Sequence, residues 1–214
     1  MLKNLKIGPR LSFGFGVIMV FMVIVGGFSI AMINSLNDNV DKIVNDRFPK
    51  TVQANEMVSN MNIIARALRN IVIDDSKASV EAEVKRIAES RKIVGDNLDK
   101  LKLSIKSEKG KAILAKIDAI RPTYIKQTES YMELVKAGKA SQAKSILLTD
   151  IRASQRTYME AVGELIKLQT DLTNEAGKEA AAAARRSLII ICSLVVIALL
   201  LGAVLGVLIT RSIT

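Results

Sequence analysis

The chain has 214 residues, half of them apolar, with 31 basic and 21 acidic side chains and a net charge of +10; that length holds one domain plus anchoring segments. His is absent and Cys192 is the single cysteine, which excludes an intrachain disulfide and leaves a His- or Cys-based metal site without ligands. No cofactor is expected, and with no glycine-rich phosphate loop, no nucleophile–base pair and no histidine base the chain does not read as an enzyme.

The first ten residues carry Lys3, Lys6 and Arg10. Leu11 to Ile33 then runs for 23 residues without a charge, long enough as a helix to cross a hydrocarbon layer of roughly 30 Å. A cleaved signal peptide is the alternative, but its apolar core spans about 7 to 15 residues and ends at a small-residue site. Here the small cluster Ser29-Ile30-Ala31 is followed by Met32 and Ile33, so an uncleaved anchor is expected.

Residues 34–186 are charged throughout and show helical periodicity, with no useful stretch of period two. Val40 and Ile43, then Met57, Met61, Ile64, Leu68 and Ile71, form the first apolar stripe. Val80, Val84, Ile87, Val94, Leu98, Leu101 and Ile105 form the second. Ile113, Ile117, Ile120, Tyr124, Tyr131 and Val135 form the third, and Leu148, Ile151, Tyr158, Val162, Leu165 and Leu172 the fourth. Asp74-Asp75-Ser76 ends the first helix, and Ser79 is placed to cap the second, which is expected over Val80 to Lys106. Ser107 to Gly110 separates the second from the third, Gly138 stops the third, and Ser141 is placed to start the fourth. Short connections make neighbours antiparallel. The predicted fold is all-α: an antiparallel up-down-up-down four-helix bundle between two transmembrane helices.

The first and fourth helices show no break from the apolar runs beside them. Ala180 to Ala184 is a strong helix former, either a rod that transmits motion or simply a slim stretch of helix. Leu188 to Ile209, within a segment assigned to residues 187–210, is the second apolar run, bounded by Arg185-Arg186 and Arg211. Gly202 and Gly206 form a small-xxx-small pair of the kind that permits close helix packing. Lys3, Lys6 and Arg10 before the first run, with Asn34, Asp38 and Asp41 after it, place the N-terminus in the cytoplasm. Two spans return residues 211–214 to the same side. Setting aside Lys3, Lys6, Arg10 and Arg211 leaves 27 basic residues against 21 acidic, evenly mixed and with no dense patch that would follow a phosphate backbone. Nucleic acid is not an expected partner; a domain that attracts small anions is.

The opening Leu5-Lys6-Ile7-Gly8-Pro9-Arg10-Leu11, the segment Ala65-Arg66-Ala67-Leu68-Arg69-Asn70 and the ending Ile209-Thr210-Arg211-Ser212-Ile213-Thr214 are similar to the corresponding parts of methyl-accepting chemotaxis receptors with a four-helix-bundle sensor. The resemblance covers nearly the whole chain. It implies a homodimer in a bacterial inner membrane, residues 1–10 cytoplasmic, residues 34–186 periplasmic, and residues 211–214 beginning a cytoplasmic linker. It also implies control of a histidine kinase through a coupling protein. Nothing in these residues corresponds to the cytoplasmic signalling hairpin, so a longer receptor is expected. The same bundle also occurs on histidine kinases and cyclic-dinucleotide enzymes, which leaves the output open. In related receptors arginines of the first helix hold ligand near the dimer seam, and the resemblance assigns that role here to Arg66 and Arg69.

Position 91 interrupts the second stripe: the row 80, 84, 87, 91, 94, 98 places Arg91 where an apolar residue belongs. A buried guanidinium is costly unless paired or hydrated, and it grips a carboxylate with two parallel hydrogen bonds. The alternatives are a structural ion pair with Glu129 or Asp118, or a stem at the edge of the stripe. Arg121 lies one turn before Tyr124 and beside Pro122, which kinks a helix interior unless the helix starts late. Tyr124 and Tyr158 lie on inward stripes, and a buried hydroxyl needs a partner. Arg91, Arg121, Tyr124 and Tyr158 together point to a small carboxylate ligand, with Arg69 and Arg66 as the seam candidates. The rival from another class is a structural membrane protein without a ligand.

Overall fold

A computed structural model describes residues 7–213, all helix apart from short connections, with no strand among them. Lys3, Lys6, the opening Leu5-Lys6 and the terminal Thr214 lie outside the described residues. The helices are α1 (Ile7–Asp41), α2 (Phe48–Ile73), α3 (Lys77–Ser104), α4 (Glu108–Lys136), α5 (Ala140–Ile146) and α6 (Arg152–Ile213). π-helical turns join α1 to α2 over Lys42–Arg47 and α5 to α6 over Leu147–Ile151. The chain forms two compact units. One holds the residues up to Ile43 together with those from Glu175 onward; the other is Val44–Asn174.

In the first unit, α1 and the end of α6 run side by side. Ser187 Oγ lies 3.5 Å from Met32 Sδ, and a Cβ built on Gly202 would sit 3.9 Å from Ile18. Ala183 and Ala184 share a groove with Ser35 and Leu36, so the small side chains of the alanine run let α6 approach α1. Both helices are long and apolar enough to cross a membrane, and the most apolar stretch of each has no residue buried.

The second unit is the bundle. Its core is the predicted set with amendments: Met57, Met61, Ile64, Leu68 and Ile71 from α2, Ile87, Val94, Leu98 and Leu101 from α3, Ile117, Tyr124 and Tyr131 from α4, and Ile151, Tyr158, Val162 and Leu165 from the last limb are all buried. Val84 and Leu148, expected to point inward, are exposed, Leu148 by 52%. The row that α3 buries includes Ser90 and Asn97, which a purely apolar count passes over. Asn97 Nδ2 donates to Glu56 Oε2 at 2.9 Å, and Asn70 Nδ2 to Glu83 Oε1 at 2.7 Å. These two pairs set the antiparallel register of α2 and α3. Tyr131 Oη donates to the Leu68 carbonyl at 2.7 Å, tying α4 across to α2.

The breaks fall near the expected places, with helix starts shifted by one to three residues. Asp74 Oδ1 accepts from the Ser76 N–H at 3.1 Å, and α3 then begins at Lys77 rather than Val80, with Ser76 instead of Ser79 at its N-cap. Ser107 caps α4, its hydroxyl accepting from Gly110 N at 3.3 Å. A Cβ at position 110 would collide with Ile105 Cγ2 and Ser107 Oγ, which is why glycine stands there. Gly138 has φ +68°, and the bonds Gly138 N to Val135 O and Lys139 N to Leu134 O complete the usual glycine stop. The last limb starts at Ala140 rather than Ser141. The first limb is not uninterrupted α-helix, as its sequence implied. Pro49 at the start of α2 has no N–H to offer the carbonyl four residues back, and the six residues before α2 adopt the wider π register. By contrast α6 runs for 62 residues without a break.

Candidate functional site

Three helices bring the four central predicted residues together. From α3 comes Arg91, from α4 Arg121 and Tyr124, and from α6 Tyr158. Pro122 lies inside α4, not in its first turn, so Arg121 and Tyr124 flank a position where the helix lacks one backbone donor.

Arg91 sits at the edge of the core, its side chain 29% exposed. One Nη donates to the Thr128 hydroxyl, which in turn donates to the Ile125 carbonyl at 2.8 Å. The other Nη is 3.8 Å from Glu129 Oε1, whose side chain is 58% exposed; so open and long a pair contributes little. The Nε–H is buried and has no acceptor within the protein. Of the two acids weighed as partners for Arg91, Glu129 is the loose neighbour. Asp118 is held by Lys102 at 2.7 Å.

Arg121 reaches from α4 towards α3. Its Nη2 would be 3.2 Å from a Cβ on Gly95, so the glycine leaves room for the guanidinium. Among the described residues Arg121 forms no ion pair within 4 Å.

Tyr124 and Tyr158 meet edge to face, ring centroids 5.9 Å apart at 69°, and each is only 2% exposed. Neither hydroxyl has a hydrogen-bond partner within the protein. Burial raises the Tyr124 hydroxyl well above its ordinary value; Arg91 pulls against that shift and Tyr158 adds to it. Burial pushes Tyr158 up to about 12, with Arg121 lowering and Asp118 raising it. Both phenols therefore remain protonated donors at neutral pH, and each feels one of the two guanidinium charges. An unmet buried donor costs about 1–3 kcal/mol, and three lie in this cluster: Arg91 Nε, Tyr124 Oη and Tyr158 Oη.

Arg66 and Arg69 stand apart from this cluster. Arg66 is exposed. Arg69 is exposed too, its Nε donating to the Ala65 carbonyl at 3.0 Å, and it lines an open groove of about 630 Å³ with Arg152, Gln155 and Arg156 over Leu147, Leu148 and Met159. Glu160 is 3.8 Å from Arg156 in the same groove, both highly exposed.

Gly95, Arg152 and Arg156 carry no signal in the sequence, and Thr128 is there only one of several candidates for added polar contacts, with Thr123, Thr157 and Ser130, among which the sequence gives no choice. Thr128 follows Tyr124 by four residues on the inward stripe. The role of Gly95 depends on a neighbouring helix and left no local trace. Among the described residues no group of three potential His, Cys, Asp or Glu ligands could hold a metal ion.

Residues 4–184 match the family described as a four helix bundle sensory module for signal transduction. No curated protein matches the chain.

Proposed function

Since the chain belongs to the four-helix-bundle sensory modules of methyl-accepting chemotaxis proteins, a family devoted to signal transduction, we propose that it senses a small organic acid at the Arg91–Arg121–Tyr124–Tyr158 cluster. The observation that carries this reading is the set of three buried, unmet donors beside a weakly countered pair of guanidiniums. A carboxylate is an acceptor with about four lone-pair sites, and charge-assisted bonds to it are the strong ones. Acid held there joins α3, α4 and α6. Because α6 continues into the second apolar run, a shift of α6 on the order of 1–2 Å would carry the signal, as in other helix-shift switches. The acid acts only through its differential affinity for the two arrangements.

In this reading α1 and α6 cross the bacterial inner membrane, the bundle is periplasmic, both termini are cytoplasmic and the receptor works as a homodimer. Its cytoplasmic part would control a histidine kinase through a coupling protein. The placement is tested by labelling with a membrane-impermeant maleimide. In a Cys192→Ala background, Ser76→Cys in the α2–α3 connection is expected to react in intact cells whose outer membrane is permeabilised, while Cys192 of the unaltered chain stays unlabelled. Reaction of Ser76→Cys only after lysis would contradict the orientation.

A second location is favoured by one observation, the open groove in which Arg69, Arg152 and Arg156 converge. A thermal-shift screen of organic acids on the full chain in detergent separates the two. At 100 times its dissociation constant an acid adds about 2.7 kcal/mol of stability. Arg91→Ala or Arg121→Ala is expected to abolish that gain, whereas Arg69→Ala with Arg152→Ala leaves it. The reverse pattern moves the site to the groove. A flat response across the library favours a structural protein without a ligand.

A further inference from the structure

Resting on the reading that α1 and α6 cross a membrane, and independent of the acid cluster, we infer that the groove where α1 and α6 meet beside Arg185 and Arg186 binds an anionic glycerophospholipid. The phosphate sits on the two arginines and an acyl chain lies along the groove.

The groove has a volume of about 320 Å³, with Ile33 and Leu36 of α1 facing Ala183, Ala184 and Leu188 of α6. The alanines are too small to fill the space between the helices. The serines in its wall do not make it polar: Ser29 Oγ donates to the Val25 carbonyl at 2.8 Å and Ser187 Oγ to the Ala183 carbonyl at 2.6 Å. Each hydroxyl is thus spent on its own helix, and what remains is apolar surface. From Ala183 to Ile191 the groove follows α6 for about 12 Å, eight residues at 1.5 Å each, which suits the first carbons of an acyl chain.

The rim has the opposite character. Ala183, Ala184, Ser187, Leu188 and Ile191 form one face of α6. Arg185 stands three residues before Leu188 and Arg186 three after Ala183, so each lies about 60° outside one edge of that face. Both are exposed, and among the described residues neither forms an ion pair within 4 Å. The nearest acids in sequence, Asp38 on α1 and Glu179 on α6, are about a turn further from the apolar runs than Ser35 and Ala183. An arginine at the end of a span lays its stem along apolar surface and lifts its head to the interface, where its fork matches a phosphate. Apolar wall inward and two uncountered cations outward reproduce the order of an anionic lipid. A zwitterionic lipid brings a cation of its own to the arginines. A second copy of the chain seated there would bring its own Arg185 and Arg186 to the same level, like charge against like.

The test is native mass spectrometry of the full chain in micelles holding equal amounts of phosphatidylglycerol and phosphatidylcholine with identical acyl chains. Phosphatidylglycerol is expected to be retained about five-fold or more over phosphatidylcholine, roughly the effect of one basic side chain at an anionic surface. In Arg185→Gln with Arg186→Gln the ratio is expected to fall towards one. Lys136→Gln with Lys144→Gln removes the same charge from exposed positions of the bundle and is expected to leave the ratio unchanged. Phosphatidylglycerol with a diazirine near the top of one acyl chain is expected to cross-link within residues 29–36 and 183–191. The inference is overturned, and the membrane reading left standing, by a ratio near one in the unaltered chain, a ratio that the arginine variant leaves unmoved, or one that both double variants lower alike. Cross-links confined to other parts of the spans do the same. So does a disulfide dimer of Ser35→Cys in a Cys192→Ala background without lipid cross-linking, which would give the groove to a second copy. A chain that stays in solution without detergent and retains neither lipid overturns both the inference and the membrane reading.

Discussion

Alkaline titration is expected to leave all three tyrosines protonated until the bundle unfolds. The chain has three tyrosines, and burial raises every one. Tyr131, fully buried and bonded to the Leu68 carbonyl, is pushed up to about 12. Tyr158 is likewise pushed up to about 12, and Tyr124 is raised as well. The folded protein thus holds protons that the unfolded chain gives up near pH 10. Stability from this source is complete below pH 10 and is lost as pH rises towards the folded-state values, by about 1.4 kcal/mol per pH unit for each tyrosine. Three together approach about 4 kcal/mol per unit, a large slope against a typical domain stability of about 5–15 kcal/mol. Tyrosinate absorbance near 295 nm should rise together with the loss of helical circular dichroism between pH 10 and 12. Tyrosinate appearing near pH 10 with the helix signal intact would show that the rings are open to solvent.

The second large effect concerns the core. Leu68 has no exposed surface and packs in the central cluster, so Leu68→Ala should destabilise the bundle by about 2–5 kcal/mol through lost burial and the cavity left behind. Leu148→Ala should stay within about 0.5 kcal/mol, because that side chain is half exposed. Both leucines lie on apolar stripes and carry equal weight in a periodicity argument. Denaturant unfolding monitored by helicity, with the slope unchanged between variants, distinguishes them. Equal losses at the two positions would mean that the last limb is rotated relative to the fold described.

That pair also marks what the sequence makes legible. Stripes of three and four identify the helices because burial repeats with the helical period, and Gly138, Ser107 and the Asp74–Ser76 break are read from capping chemistry that acts within a few residues. The errors occur where a distant partner decides. Leu148 turns outward on a π-helical turn, where the added residue rotates the face away from the α-helical row. Ser90 and Asn97 are buried although polar, Asn97 because Glu56 on another helix receives its amide. The π turn before Phe48 has a local cause in Pro49, a signal that is present in the sequence.

The candidate site shows the same division. Arg91 was conspicuous as a charge in an apolar row, and Tyr124 and Tyr158 as aromatics on inward faces. Their convergence could be anticipated because α3, α4 and α6 bury adjoining faces. Sequence alone could not decide between pairing and freedom for the cations. In the structure Asp118 goes to Lys102, Glu129 stays loosely placed, and Gly95 admits the Arg121 head. The arginines of the groove, Arg152 and Arg156, lie on the exposed side of α6, where a charge breaks no pattern and attracts no notice.

The central claim is that an acid meets the tyrosine pair inside the bundle. With three tyrosines in the chain, selective tyrosine labelling and nuclear Overhauser contacts to a bound acid give the most direct test, with Tyr131→Phe assigning the remaining ring. The account predicts contacts from the acid to Tyr124 and Tyr158 and none to Tyr131. An acid that stabilises the protein yet shows no contact with either of the first two rings would contradict it.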